Sequence, residues 1–183
     1  EVQKGLTRQG AKPGDDIWVS GTVGDAYLAL MLRTGHWTGV CDEHSAKAMD
    51  TPTPRVELGC FLSHHATACA DISDGFLKDL GNILTRSQAG ARVYIDDLAV
   101  SAALAKRSAE ERRKAQLAGG DDYELVWTAP VASRKAIADF AQSLQSKGRA
   151  LKLTRVGEVI PDGLKLIDKN GNEVKNTYKG FDH

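Results

Sequence analysis

Residues 68–80 read ACADISDGFLKDL. Ala68–Ile72 is a short strand candidate. From Ser73 to Arg86, the residues Phe76, Leu77, Leu80, Ile83 and Leu84 follow the i, i+3, i+4 spacing of a helix with one apolar face. The two join within a few residues, and Gly75 leaves the turn uncrowded. Asp71 then stands at the C-terminal end of a strand, and Ser73 or Asp74 stands at the N-cap of a helix. Strand, tight turn and helix in that order predict a layered α/β arrangement.

The flanking sequence agrees. Asp16–Ser20 (DIWVS) reads as a strand between Pro13-Gly14 and Gly21, and Asp25–Arg33 (DAYLALMLR) as a buried helix, apolar all round. Residues 42–50 form a polar helical candidate, and the Thr51–Pro54 run (TPTP) breaks any helix. Further helices are predicted at 55–65, 99–106, 109–117 and 131–147. Further strands are predicted at 91–96, 123–128, 151–160 and 164–168. Asn170-Gly171 is a hairpin signal before a last short strand at Glu173-Val174. Helices alternate with strands early and hairpins gather late. That order predicts an α/β (α+β two-layer) fold with a mixed sheet rather than a parallel stack.

Composition narrows the function classes. With 183 residues, against about 150 per domain, one domain is expected. Apolar residues make up 42% and charged residues 26%, which suits a folded core and excludes a disordered chain. The 24 basic residues equal the 24 acidic ones, so the excess of a nucleic-acid binder is missing. The longest apolar run, Ala26 to Leu32, is far short of the roughly 20 residues a bilayer span needs. Cys41, Cys60 and Cys69 form no C-x-x-C pair, which points to a reducing compartment.

Three segments could carry chemistry. In the first, Asp71 and Asp74 flank Ser73 where helix N–H groups are expected. Carboxylate oxygens suit a hard cation such as Mg²⁺, and a helix N-terminus suits a phosphate. Simple capping, with Asp74 paired to Lys78 at i, i+4, explains the same residues. The second is Leu117–Trp127 (LAGGDDYELVW), where strand alternation would set Asp122 and Glu124 on one face. Neighbouring carboxylates repel unless a cation or donor holds them; a solvated acidic turn is the plainer reading. The third is Ser20–Ala26 (SGTVGDA), neither a P-loop nor G-x-G-x-x-G. There Gly21 and Gly24 suit close strand–helix packing, and Asp25 suits a helix cap. His36, Cys41 and His44 lack zinc spacing, and no G-x-S-x-G elbow is present.

Taken in order, these motifs resemble the thiamine-monophosphate kinase family. The matching stretches are GLTRQGAKPGDDIWVSGTVGDA (5–26), Pro54-Arg55, ACADISDGFLKDLGNI (68–83), LAGGDDYELVWT (117–128) and KGFDH (179–183). Asp-Ile-Ser-Asp-Gly and Gly-Asp-Asp-Tyr-Glu-Leu are specific in combination. The family reads Gly-Glu-Asp-Tyr-Glu-Leu at the second motif and usually ends in one further Phe. Residues 34–50 match no family feature.

The resemblance implies transfer of the γ-phosphoryl group of ATP to thiamine monophosphate, giving thiamine diphosphate. It implies a fold like the C-terminal domain of aminoimidazole ribonucleotide synthetase, within a superfamily that also holds selenophosphate synthetase and a hydrogenase-maturation protein. Residues 1–183 are then a single C-terminal domain. The family's N-terminal domain, which binds ATP and Mg²⁺ and forms the homodimer, is not in this chain, so the chain alone is expected to be inactive. Asp71 and Asp74 would ligate Mg²⁺ and Ser73 would touch the ATP phosphates. Asp121, Asp122 or Glu124 would approach the thiamine moiety, and Phe181 would lie against the substrate. No catalytic side chain is implied with certainty, because the attacking phosphate is already an oxyanion. A cytoplasmic enzyme with ATP and thiamine monophosphate as its partners, and neither nucleic acid nor membrane, completes the expectation. Another member of the same superfamily, or a non-catalytic ligand-binding module, is the alternative.

Overall fold

A computed structural model describes residues 5–178; Phe181 and the rest of KGFDH lie outside the described residues. Seven strands form one mixed sheet: β1 (Asp16–Ser20), β2 (Ala68–Asp71), β3 (Gly90–Tyr94), β4 (Leu125–Ala129), β5 (Leu153–Ile160), β6 (Leu164–Ile167) and β7 (Glu173–Val174). Their spatial order is β2-β4-β1-β5-β3-β6-β7. Every pairing is antiparallel except β3 with β6. The helices are α1 (Asp25–Arg33), α2 (Glu43–Asp50), α3 (Val56–Leu62), α4 (Phe76–Ser87), α5 (Ala109–Ala118) and α6 (Arg134–Ser146). The mixed sheet with helices is the expected architecture.

Alternation along the strands builds the core. Ile17, Val19, Ala68, Ala70 and Val126 face Phe76, Leu80 and Ile83 of α4. Their neighbours Trp18, Cys69, Leu125 and Trp127 face the opposite side, where α3 and α6 bring Leu58, Leu62, Ile137 and Phe140. Trp18 and Trp127 stack across the β1–β4 pair with centroids 6.2 Å apart. Leu28 of α1 and Ala115 of α5 meet Leu104 in a smaller cluster.

Several boundaries move for local reasons. The α4 helix starts at Phe76, not Ser73, because Gly75 is at φ 114°. The β4 strand starts at Leu125, not Tyr123, because Asp121 and Tyr123 take left-handed φ values of 66° and 49°. In the 99–106 stretch only Leu104–Lys106 is helical, as a 3-10 turn. The Asn170-Gly171 hairpin does join β6 to β7, with Gly171 at φ 83°. Among the described residues, no helix is long and apolar enough to cross a membrane.

Candidate functional site

The two acidic motifs fold into one ribbon. Asp121 donates its N–H to the Ser73 carbonyl at 2.9 Å, and Tyr123 donates to the Ile72 carbonyl at 2.9 Å. Ile72 donates back to the Glu124 carbonyl at 2.8 Å. These bonds extend the β2–β4 pairing beyond both strands. Ile72, wholly buried, anchors the first loop from beneath.

Capping at this loop differs from expectation. Neither Ser73 nor Asp74 is an N-cap. Asp79, one turn into α4 and 1% exposed, reaches back and accepts the N–H groups of both Ser73 and Asp74 at 3.0 Å. Burial pushes the Asp79 carboxyl above its ordinary range, against the pull of those two N–H bonds. The amides of Ser73 and Asp74 are therefore engaged inside the protein. What the loop presents outward is side chains. Asp71 is half-exposed, with Arg8 Nη2 at 3.4 Å from its Oδ1. Asp74 is a quarter exposed, with Lys78 Nζ at 3.4 Å and the Ser73 hydroxyl at 3.4 Å. The i, i+4 pair suggested by the sequence is present.

The Gly119–Glu124 turn separates its three acids by role. Asp122 and Glu124 do face one cavity, although left-handed residues rather than strand alternation put them there. Asp122 is buried and accepts the N–H of Gly24 at 2.6 Å and of Ala26 at 3.1 Å. Those are first-turn amides of α1 that the helix itself cannot satisfy. Burial, with the neighbouring charges of Asp25 and Glu124, pushes the Asp122 carboxyl up to about 8, despite the two N–H groups that pull it down. Glu124, also buried, accepts from Arg55 Nε at 2.8 Å, from Arg55 Nη2 and from the Ser20 hydroxyl. Asp121 is exposed and lines a separate small cavity of about 60 Å³ with Tyr27, Leu30, Met49 and Ser73.

Asp25 is not the helix cap that its position suggested; Gly24, at φ 94°, occupies that place. The Asp25 carboxylate is buried and accepts from Ser101 Oγ at 2.5 Å and Thr22 Oγ1 at 2.6 Å, with His44 Nε2 at 3.2 Å. A Cβ on Gly24 would come within 2.8 Å of the Ala115 carbonyl carbon, so the close approach is to α5 rather than to a strand. Asp25, Asp122 and Glu124 line a cavity of about 180 Å³ with Thr22, His44 and Arg55.

Sequence patterning assigns no role to Arg55, Ser20, Ser101 or Asp79, and weighs His44 only in a triplet that lacks zinc spacing. Only Arg55, following the Thr51–Pro54 break within a matched Pro-Arg pair, carried a signal. Among the described residues, no group of three or more His, Cys, Asp or Glu is gathered so as to hold a metal. Asp71 and Asp74 offer two hard oxygen donors on one loop, which fits an Mg²⁺ that keeps waters and shares phosphate oxygens.

Comparison with known proteins matches residues 12–169 to the family described as AIR synthase related protein, C-terminal domain. Thiamine-monophosphate kinase of Escherichia coli K12 is 36% identical over 98% of this chain and 55% of its own length. The crystal structure of thiamine-monophosphate kinase from Stenotrophomonas maltophilia is 39% identical, with a TM-score of 0.81 over 92% of this chain and 54% of that one. A structure of AaThiL complexed with AMPPCP and TMP is 25% identical, with a TM-score of 0.75 over 96% of this chain and 53% of that one. The chain thus spans about half the length of the relatives it matches. It belongs to the family of AIR synthase related C-terminal domains.

Proposed function

We propose that this chain is the C-terminal domain of a thiamine-monophosphate kinase, a cytoplasmic enzyme that is a homodimer when whole. The reaction is ATP-dependent phosphorylation of thiamine monophosphate to thiamine diphosphate. The observation that carries the reading is the ribbon between residues 72–73 and 121–124, which holds the two family motifs side by side. In this reading Asp71 and Asp74 hold Mg²⁺ and Ser73 meets the ATP phosphates. Of the three acids in the turn, Asp121 approaches the thiamine moiety, because Asp122 and Glu124 are engaged by α1, Arg55 and Ser20. Phe181 supplies an aromatic face to the same substrate.

Phosphoryl transfer depends on positioning and charge neutralisation more than on covalent help. An oxygen of the thiamine phosphate bonds to the γ-phosphorus as the bond from that phosphorus to the ADP oxygen breaks. The nucleophile is already an oxyanion, so no side chain has to take a proton. Mg²⁺, when bound, neutralises charge on the transferring phosphates. The chain's own residues hold the loops in register.

The decisive experiment is an assay for thiamine diphosphate from thiamine monophosphate, ATP and Mg²⁺. Joined to an N-terminal half like that of its relatives, the chain is expected to turn over, and Asp71→Asn to abolish most of that turnover. Residues 1–183 alone are expected to show none. Full turnover by the Asp71→Asn enzyme would remove Asp71 from the metal site.

A further inference from the structure

The Gly119–Glu124 turn holds an unfavourable shape. Asp121 and Tyr123 both sit at positive φ, a conformation that is unfavourable for residues with a side chain and persists only when the surroundings over-determine it. Two sets of contacts do so. On one side the main-chain bonds to Ile72 and Ser73 fix the backbone. On the other, Glu124 is held by a two-pronged guanidinium contact from Arg55 and by the Ser20 hydroxyl, which itself accepts the Leu125 N–H at 2.9 Å. Gly21 leaves the room, since a Cβ there would run into the Glu124 carboxylate. Arg55 comes from a separate part of the chain, the end of the Thr51–Pro54 break, and spans 69 residues of sequence to reach Glu124.

From this arrangement we propose that Arg55 is a positioning residue for the substrate: acting through Glu124, it fixes the turn that aims Asp121 at its cavity beside Ser73. The inference rests on the reading of Asp121 as the thiamine contact. A planar guanidinium fork on a carboxylate fixes orientation as well as distance, which a lysine ammonium does not. Loss of the fork frees Glu124 to rotate about Ser20 and lets Asp121 and Tyr123 relax from their left-handed conformations. Asp121 then leaves its register with Ser73.

Two measurements on the 183-residue chain test this. The first is amide hydrogen exchange in Arg55→Met and the milder Arg55→Lys. We expect exchange at Asp121 and Tyr123 to rise about tenfold or more in Arg55→Met and by less in Arg55→Lys, while Trp127 in β4 stays within about twofold. Unchanged turn amides, or a uniform rise at Trp127 as well, would overturn the proposal; if Arg55→Met does not fold, Arg55→Lys decides. The second is titration with thiamine monophosphate. Arg55→Met is expected to weaken binding about fivefold or more, and the Arg55→Met/Asp121→Asn double variant to bind no worse than Asp121→Asn alone. Additive losses would mean that Arg55 does not act through Asp121. If the unaltered chain takes up no thiamine monophosphate, the reading of substrate falls, while the exchange data still decide whether Arg55 sets the turn.

Discussion

The two acidic loops lie side by side, yet their carboxylates occupy different surroundings. Asp71 at the end of β2 and Asp74 in the loop that follows are half and a quarter exposed, and they meet Arg8 and Lys78 at 3.4 Å. Asp122 and Glu124, one ribbon away, are buried and bonded at 2.6–3.1 Å to main-chain and guanidinium donors. In the first loop the structural work is done by a different acid, Asp79, whose carboxylate holds the amides of Ser73 and Asp74. Each loop therefore has inner acids that hold local structure and outer acids that remain partly exposed to solvent. Asp79, Asp122 and Glu124 belong to the first kind, and Asp71, Asp74 and Asp121 to the second. Removing an inner acid should disturb the fold, and removing an outer acid should disturb ligand binding.

The largest expected effect falls on Glu124. Glu124→Ala leaves the Arg55 guanidinium without its partner in a mostly buried place, and breaking such a pair costs about 3–5 kcal/mol. The thermal midpoint should drop by roughly 10 °C. Asp74→Ala, whose ion pair with Lys78 is partly solvated, should shift it by only about 1–2 °C. Equal shifts in thermal unfolding of the two variants would erase the distinction between inner and outer acids.

A smaller effect should appear with pH. In the fold the Asp122 carboxyl is pushed up to about 8, against an ordinary value of 3.8. Between those values the folded state holds a proton that the unfolded chain has lost. The stabilisation from Asp122 is therefore complete below about pH 4 and is lost as pH rises through about 8. Between pH 5 and pH 8 the thermal midpoint of the unaltered chain should fall by several degrees. Asp122→Asn, which cannot titrate, should show a flatter profile. An equally steep profile in that variant would assign the slope to other groups.

These roles were only partly legible in the sequence. The 3.6-residue spacing of Phe76, Leu77, Leu80 and Ile83 revealed α4, and strand alternation in Ala68–Ile72 revealed β2. Local patterns report whether a face is apolar, and both elements have such faces. The same patterns cannot tell which of several nearby acids turns inward. Asp79 follows Asp74 by five residues, and only the left turn at Gly75 brings its carboxylate back over the loop. Asp122 and Glu124 look like a strand pair by alternation, but they reach one cavity through two left-handed residues between and beside them. Ser20 and Glu124 are brought together by the sheet order, which places β4 beside β1, and Arg55 reaches Glu124 from the start of α3; neither approach leaves a local trace in the sequence.

For the outer acids, magnesium is the direct probe. Two carboxylates leave most of an octahedral shell to water, and Mg²⁺ gives up water reluctantly. The chain without nucleotide should bind Mg²⁺ with a dissociation constant of about 1 mM or weaker. Tight binding in a calorimetric titration would mean that further ligands lie close by, against the absence of such a group among the described residues.

The smallest effect concerns Arg8, which leans on Asp71 from the loop before β1. Both side chains are about half-exposed, 49% and 47%, and the closest approach is 3.4 Å. A solvated pair of this kind contributes about 0–1 kcal/mol, so Arg8→Met should leave the thermal midpoint within about 3 °C. Its effect on Mg²⁺ should have the opposite sign to its effect on stability. A guanidinium beside Asp71 repels an arriving dication and competes for the same oxygen. Its removal should tighten Mg²⁺ binding by about two- to fivefold at low ionic strength. In about 1 M KCl the Debye length shrinks to about 3 Å, and most of that gain should disappear. Following the Asp71 amide by NMR during Mg²⁺ titration, at both salt concentrations, measures the difference. Unchanged or weaker binding in Arg8→Met would show that the cation does not use Asp71, and the outer role given to that carboxylate would pass to Asp74 alone.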